Sequence, residues 1–297
     1  MFWIFSNQIA CALQNICLDK LNEIRVRNGL PIKILVADKW GYLSNQGFSI
    51  SSRNAIKADK NEAQNIAVKA SENSLYSVCD DISKGFLTLS NGCRIGLCGE
   101  CVNINDKVKT FKNFTSATIR IPHQIFGASN SFFNYIHTSE MINNTLIVSP
   151  PGGGKTTVLR DIAQKLSFQQ NTLIIDERYE IASIRDGMSV FNIGESDVIS
   201  GCNKKTAIEN SIRSCAPNVI ITDEISEEDY EPIRLAVSCG VNIITSIHAS
   251  SIENLLKKPN FENFFSNKIF DLFIVLQGRE NPGKCVGIFN ANLERIY

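Results

Sequence analysis

The sequence predicts an α/β protein in two parts: a small α+β domain over residues 1–140, then a parallel sheet covered on both faces by helices over residues 141–297. Three observations carry this expectation. In the second part, near-continuous apolar runs at Thr145–Ser149, Thr172–Asp176, 219–223 and 241–247 alternate with amphipathic runs at 156–166, 205–215 and 227–239. That alternation is the mark of parallel strands buried on both faces. A glycine-rich segment, Ser149-Pro-Pro-Gly-Gly-Gly-Lys-Thr-Thr157, joins the first of those strands to the first of those helices. The first part instead alternates apolar and polar residues around two-residue turns, as antiparallel hairpins do.

Taken in order, Ile9, Leu13, Ile16, Cys17 and Leu21 recur with helical spacing near the start. Glu23-Ile-Arg-Val-Arg27 alternates as a strand, Asn28-Gly29 turns it, and Pro31-Ile-Lys-Ile-Leu-Val36 returns. Residues 55–71 and 75–83 read as helices, the second closing at Gly85. Phe86-Leu-Thr-Leu-Ser90, Asn91-Gly92 and Cys93-Arg-Ile-Gly-Leu97 form the clearest hairpin pattern. Residues 103–112 are polar and read as a loop, and Ser116-Ala-Thr-Ile-Arg-Ile121 as a strand stopped by Pro122. At the far end, 269–276, Asn281-Pro-Gly283 and 285–289 read as a closing antiparallel hairpin.

Bulk properties narrow the function. With 30 basic and 30 acidic residues the net charge is zero and no long basic run appears, which disfavours a nucleic-acid partner. A hydrophobic content of 43% contains no apolar run of membrane-spanning length, and Met1-Phe-Trp-Ile-Phe-Ser6 lacks the basic start and cleavage site of a signal peptide. The expectation is a cytoplasmic protein. Among ten cysteines, Cys93-x4-Cys98-x2-Cys101 has the spacing of three iron–sulfur ligands, but no fourth ligand is evident at usable distance. Reduced cytosolic thiols are the expected state.

Strand, glycine-rich turn, Lys-Thr and helix make up a phosphate-binding loop. Residues 152–157 supply backbone N–H groups that close around a β-phosphate at a positive helix N-terminus. Pro151, Gly152, Gly153, Gly154, Lys155, Thr156 and Thr157 are therefore the expected phosphate contacts, with Lys155 exposed on the loop and the Thr156 hydroxyl on Mg2+. About seventy residues later, an apolar strand ends in Asp223-Glu224, the Walker B pattern. Asp223 is expected at the metal, and Glu224 beside the attacking water. Asp176-Glu177 ends another strand on the same edge; its two readings are a second acidic contact to Mg·ATP, with Asp176 on the metal and Glu177 catalytic, or a capped turn. His248 is either a sensor of the γ-phosphate or a structural group, and Arg213 either a phosphate contact or a solvated helix charge. Transition-state charge calls for a further cation, for which Arg94, Arg120 and Arg178 are the expected donors.

Several of these segments also resemble a known family. Cys202, Arg213-Ser214, Pro217 and Val219-Ile-Ile-Thr-Asp-Glu-Ile225 look like the stretch through Walker B in type II/IV secretion ATPases, Asp176-Glu177 like their Asp box and His248 like their His box. Glu23-Ile-Arg-Val-Arg27, Gly85-Phe-Leu-Thr-Leu89, Arg94-Ile-Gly-Leu-Cys-Gly-Glu100, Ser149-Pro-Pro and Asp176-Glu-Arg178 are similar to signatures of the stage III sporulation protein AA family of endospore-forming bacteria. Cys93 and Cys101 depart from the His and the small residue expected there, which further weakens a metal cluster. The resemblance spans nearly the whole chain. It implies a RecA-like (ASCE) P-loop core of the AAA+/secretion-ATPase kind that hydrolyses ATP with Mg2+. It also implies a hexameric homo-oligomeric ring, peripheral to the membrane through embedded channel or secretion proteins, active during sporulation. Two other readings share the core: a nucleic-acid motor or loader, and a non-hydrolysing nucleotide-binding scaffold, against which Glu224 argues.

Overall fold

The alternating run Glu23-Ile-Arg-Val-Arg27 lies within β1 (Leu21–Arg27) of the computed structural model, which describes every residue except Met1, 72–81, 83, 84, 90, 105, 106, 186 and 260. Around β1 the first unit, Met1–His123, builds an antiparallel sheet with β2 (Lys33–Val36), β3 (Lys39–Ser44), β4 (Gly47–Ser49), β5 (Phe86–Thr88), β6 (Arg94–Ile104) and β7 (Lys107–Arg120). Its strand order is β4-β3-β2-β1-β7-β6-β5. One face is apolar: Ile24 and Val26 of β1, Ile95 and Leu97 of β6 and Ala117 and Ile119 of β7 share a core with Ile66 and Ala67 of α2 (Glu62–Ala70). Helix α1 (Asn7–Leu13) adds Ile9 and Leu13 to it.

Several expectations shift here. Residues 103–112, read as a loop, are largely the distal end of the β6–β7 hairpin, where Val102 pairs with Thr110 and Asn103 with Val108. Cys101, Asn103 and Lys112 there are exposed, so polarity reports solvent rather than a turn. The helix read over 55–71 begins only at Glu62, because 55–58 makes bridges to the sheet. The helix read over 75–83 lies outside the described residues apart from Ile82. Cys93 is buried whereas Cys98 and Cys101 are exposed, and among the described residues no group of His, Cys, Asp and Glu is arranged to hold a metal.

The second unit, Gln124–Tyr297, starts seventeen residues before the expected boundary at 141. Its first stretch carries α3 (Phe133–Ile136), and Phe132 and Ile136 sit in one core with Ile147, Val158 and Ile162. Asp161 anchors this stretch by accepting the Gly127 and Ser129 N–H groups at 2.7 and 2.8 Å and the Ser129 hydroxyl. Burial alone would raise the Asp161 pKa, but these bonds and Lys165 hold it below the ordinary carboxylate value. The stretch is too short to show an apolar period, which is why the sequence suggests the later boundary.

The sheet of this unit has seven strands: β8 (Thr145–Ser149), β9 (Thr172–Asp176), β12 (Asp197–Ser200), β13 (Val219–Glu224), β14 (Asn242–His248), β15 (Leu272–Leu276) and β16 (Cys285–Asn290). A separate two-stranded ribbon joins β10 (Ile184–Arg185) to β11 (Met188–Ser189). The order is β12-β9-β13-β14-β8-β15-β16, parallel except for β16. Every residue of β8 and β9 is buried, as a sheet covered on both faces requires. Helices α4 (Lys155–Ser167), α5 (Lys204–Ser214) and α6 (Tyr230–Ser238) supply the cover through residues such as Val158, Ile162, Ile208 and Ile233. The predicted C-terminal hairpin exists, with β15 also running parallel beside β8. One consequence of the order governs the site. β14 lies between the strand that ends in the glycine-rich loop and the strand that ends in Asp223-Glu224.

Candidate functional site

Parallel strands bring their C-terminal ends to one edge, and there a cavity of about 510 Å³ is lined by Pro151 to Thr157, Arg178, Glu180, Asp223, Glu224, Ser246, His248 and Pro282. The loop needs its glycines for two reasons. Gly152 and Gly154 have φ of +78° and +88°, a backbone region costly for other residues, and a Cβ on Gly153 would strike the Ser149 hydroxyl. Gly154 caps α4, so the first N–H groups of that helix open on the cavity.

Lys155, expected exposed, is only 8% exposed. Its ammonium donates to Ser149 O at 3.3 Å and to His248 Nδ1 at 2.6 Å. Burial lowers its pKa to about 8 despite the nearby Glu224 and Glu180 carboxylates. A histidine that accepts at Nδ1 carries its proton on Nε2, and Nε2 lies 3.3 Å from Glu224 Oε2. Arg178 reaches the same oxygen at 3.4 Å. Lysine, histidine, glutamate and arginine thus form one chain across β8, β14, β13 and the turn after β9.

Asp223 is held differently. Its backbone carbonyl accepts the Thr245 hydroxyl at 2.6 Å, and Oδ1 pairs with Lys204 at 3.0 Å. Oδ2 is buried and has no hydrogen-bond partner. Burial raises the Asp223 pKa; Lys204 opposes the rise only in part, and Asp176 and Glu177 add to it. An acidic oxygen left unpaired on a residue that lines the cavity fits a hard cation such as Mg2+, with Thr156 at the start of α4 lining the same cavity.

Five expected site residues do not line this cavity. Asp176, expected on the metal, is fully buried, and its two oxygens accept the backbone N–H groups of Glu180, Ile181, Ala182 and Ser183 at 2.7 to 3.1 Å. It is the staple of the turn that carries Arg178 and Glu180, with both oxygens spent, and the capped-turn reading is the one that fits. Arg160 backs the same turn by donating to Ile181 O and Glu180 O. Glu177, expected to be catalytic, turns to Lys204 at 2.7 Å and lines a neighbouring cavity rather than this one. Arg213 is exposed near the C-terminal end of α5, which leads directly into the start of β13 and so lies at the sheet edge opposite the loop. It cannot contact phosphate within its own subunit. Arg94 and Arg120 belong to the first unit, where they pair in register on one face, Arg94 over the Phe86 ring and Arg120 beside Glu23 at 3.6 Å.

Sequence reasoning missed Lys204, buried between Glu177 and Asp223, whose carboxylates outweigh the effect of burial and raise its pKa. A signal existed. A lysine directly after the cap Asn203 opposes the helix dipole and needs a carboxylate to hold it. The Asp176 staple yields a test: Asp176→Asn should lose about 3 kcal/mol of stability, because an amide NH2 must face donors the carboxylate served. Urea unfolding in the absence of nucleotide and metal measures it. A stability equal to the native protein would return Asp176 to the list of metal ligands.

Comparison with known proteins follows the same lines. A family model described as sporulation stage III, protein AA matches residues 2–296. The chain is 31% identical over 281 residues to stage III sporulation protein AA of Bacillus subtilis (strain 168), covering 92% of this chain and 88% of that protein. Among solved structures it is similar to the ATPase DotB of Legionella pneumophila, with a TM-score of 0.53 and 14% identity over 94% of this chain and 75% of that one. It is also similar to the pilus retraction motor PilT with bound ADP, at 0.54 and 13% over 86% and 74%. At such identities the likeness speaks for the fold, an α/β P-loop ATPase fold. No helix among the described residues is long and apolar enough to cross a membrane.

Proposed function

The chain belongs to the sporulation stage III protein AA family, and on that premise we propose that it is a Mg2+-dependent ATPase that powers a channel or secretion-like complex during spore formation. The observation that carries the reading is the chain Lys155–His248–Glu224 across the cavity wall: it ties the lysine of the phosphate loop to the carboxylate suited to act on water. The amides of Gly152 and of 154–157, with the Lys155 ammonium, bind the β- and γ-phosphates of ATP. His248 gives up Lys155 to the phosphates and keeps its Nε2–H toward Glu224. Glu224 orients a water for in-line attack on the γ-phosphorus and accepts its proton. The new P–O bond forms as the β–γ bridge breaks, leaving ADP and phosphate. Thr156 and Asp223 would hold Mg2+, which would neutralise phosphate charge when bound.

Phosphate release from ATP by the purified chain tests this directly. A signal that needs Mg2+ and saturates with ATP is expected; nucleotide binding with no phosphate release at any protein concentration would leave a scaffold instead.

The reading extends to assembly. Among the described residues of the second unit, Arg178 is the arginine that lines the cavity, and it is engaged with Glu224. The transition state calls for more cation. We assign it to Arg94 and Arg120 of another copy in a hexameric ring docked on membrane-embedded proteins; both are exposed. Specific activity should therefore rise with protein concentration, and Arg120→Ala should lower it at least about tenfold without changing ADP affinity. Activity per subunit that is constant in a monomer, and indifferent to both arginines, would remove the ring from the proposal.

A further inference from the structure

The loop between β15 and β16 lies against the glycine-rich loop, and each glycine there meets a part of it. A Cβ on Gly152 would come within 2.9 Å of Arg279 Cγ and Nε, one on Gly153 within 2.8 Å of Gln277 O, and one on Gly154 within 2.7 Å of Gly283 N. Pro282 lines the cavity itself. Two hydrogen bonds join the loops. Arg279 Nε–H donates to Pro151 O at 3.4 Å, and Gly283 N–H donates to Gly153 O at 2.9 Å. The hairpin loop is closed on itself, Gln277 N–H donating to Lys284 O at 2.8 Å and Asn281 N–H to Gly278 O at 3.2 Å. It is therefore a shaped support rather than a loose end.

The carbonyl of a trans peptide points opposite to the N–H that follows it. None of the described peptides is cis. Holding Pro151 O and Gly153 O on the hairpin side turns the N–H groups of Gly152 and Gly154 to the other side. The Gly153 N–H is already spent on Pro150 O at 3.2 Å, so Gly152 and Gly154 are the glycine amides left to face a ligand. A glycine-rich segment on its own has wide conformational freedom, and amides scattered over it bind phosphate poorly.

We propose that the 277–284 hairpin loop is a working part of the nucleotide site, with Arg279 a positioning residue that aims the amides of the phosphate loop at the phosphates of a nucleoside diphosphate or triphosphate. This rests on the reading that the cavity binds nucleotide, and it names a determinant of that binding outside the Walker segments. The arginine acts through its Nε–H on a backbone carbonyl, so a lysine of the same charge does not replace it. Nucleotide occupancy should in turn stiffen the hairpin.

The test uses the full chain and ADP. Arg279→Ala and Arg279→Lys should each weaken ADP binding about three- to tenfold, the range expected for one hydrogen bond that orders a loop, with an unchanged melting temperature. Hydrogen exchange should show the Gly283 amide gaining protection when native protein binds ADP, and gaining less in Arg279→Ala. Full recovery of affinity in Arg279→Lys, or native affinity and native protection in Arg279→Ala, would overturn the proposal. If the native chain itself binds no ADP, the nucleotide reading fails instead, and the two failures are thereby told apart.

Discussion

Glu224→Gln should bind Mg·ATP about as well as the native chain and release phosphate at least about a hundredfold more slowly. Glutamine keeps an oxygen where Glu224 accepts from His248 at 3.3 Å and from Arg178 at 3.4 Å, so the side chain stays in place. It cannot take a proton from water. Asp223, with Lys204 on Oδ1 and Oδ2 unpaired, is untouched, so metal binding survives. Quenched-flow hydrolysis of bound ATP, beside binding of a non-hydrolysable analogue, separates the two effects. Turnover equal to the native protein would move the catalytic carboxylate elsewhere; Glu177 would need to leave Lys204 to take the role.

The reason some of this was readable in the sequence and some was not is physical. Phosphate binding by backbone amides requires small residues next to one another, so the Gly152–Gly154 run and Lys155-Thr156 announce themselves locally. Asp223 and Glu224 end an apolar strand, and that contrast is also local. The turn after β9 is different. Asp176-Glu177-Arg178 shows charge at a strand end, but nothing in it chooses between a metal contact and a capped turn for Asp176, or sets Arg178 rather than Glu177 at the cavity. That assignment depends on Tyr179 and Ser183 at φ of +56° and +54°, a local path no residue type there requires. Arg279 was invisible for another reason. It comes 128 residues after Pro151 and is placed by β15 running beside β8, a pairing that apolar runs do not specify. The strands of the first unit were legible where one face is buried, as in β1, and illegible at the distal end of the β6–β7 hairpin, where Cys101, Asn103 and Lys112 are exposed.

Lys155→Ala should reduce affinity for ADP by roughly a hundredfold or more while leaving the fold intact, the loss expected for a charge-assisted contact to phosphate. The environment of Lys155 adds a second, sharper consequence. In the free protein burial holds its pKa at about 8. A bound polyphosphate favours the ammonium form, so its pKa rises in the complex. Below pH 8 the lysine is charged in both states and affinity is level; above pH 8 binding must first take up a proton. Native affinity should therefore weaken about tenfold for each pH unit above 8, until the pKa of the complex is reached. Lys155→Ala has no such proton to gain, and its weaker binding should be flat over that range. Titration calorimetry with ADP at pH 7 and pH 9, without metal so that no other cation shares the phosphates, reads both effects. Equal affinity in the two proteins at pH 7, or a native affinity that does not change between pH 7 and pH 9, would show that Lys155 stays with His248 and Ser149 when the site fills, and that the phosphates are held by the loop amides alone.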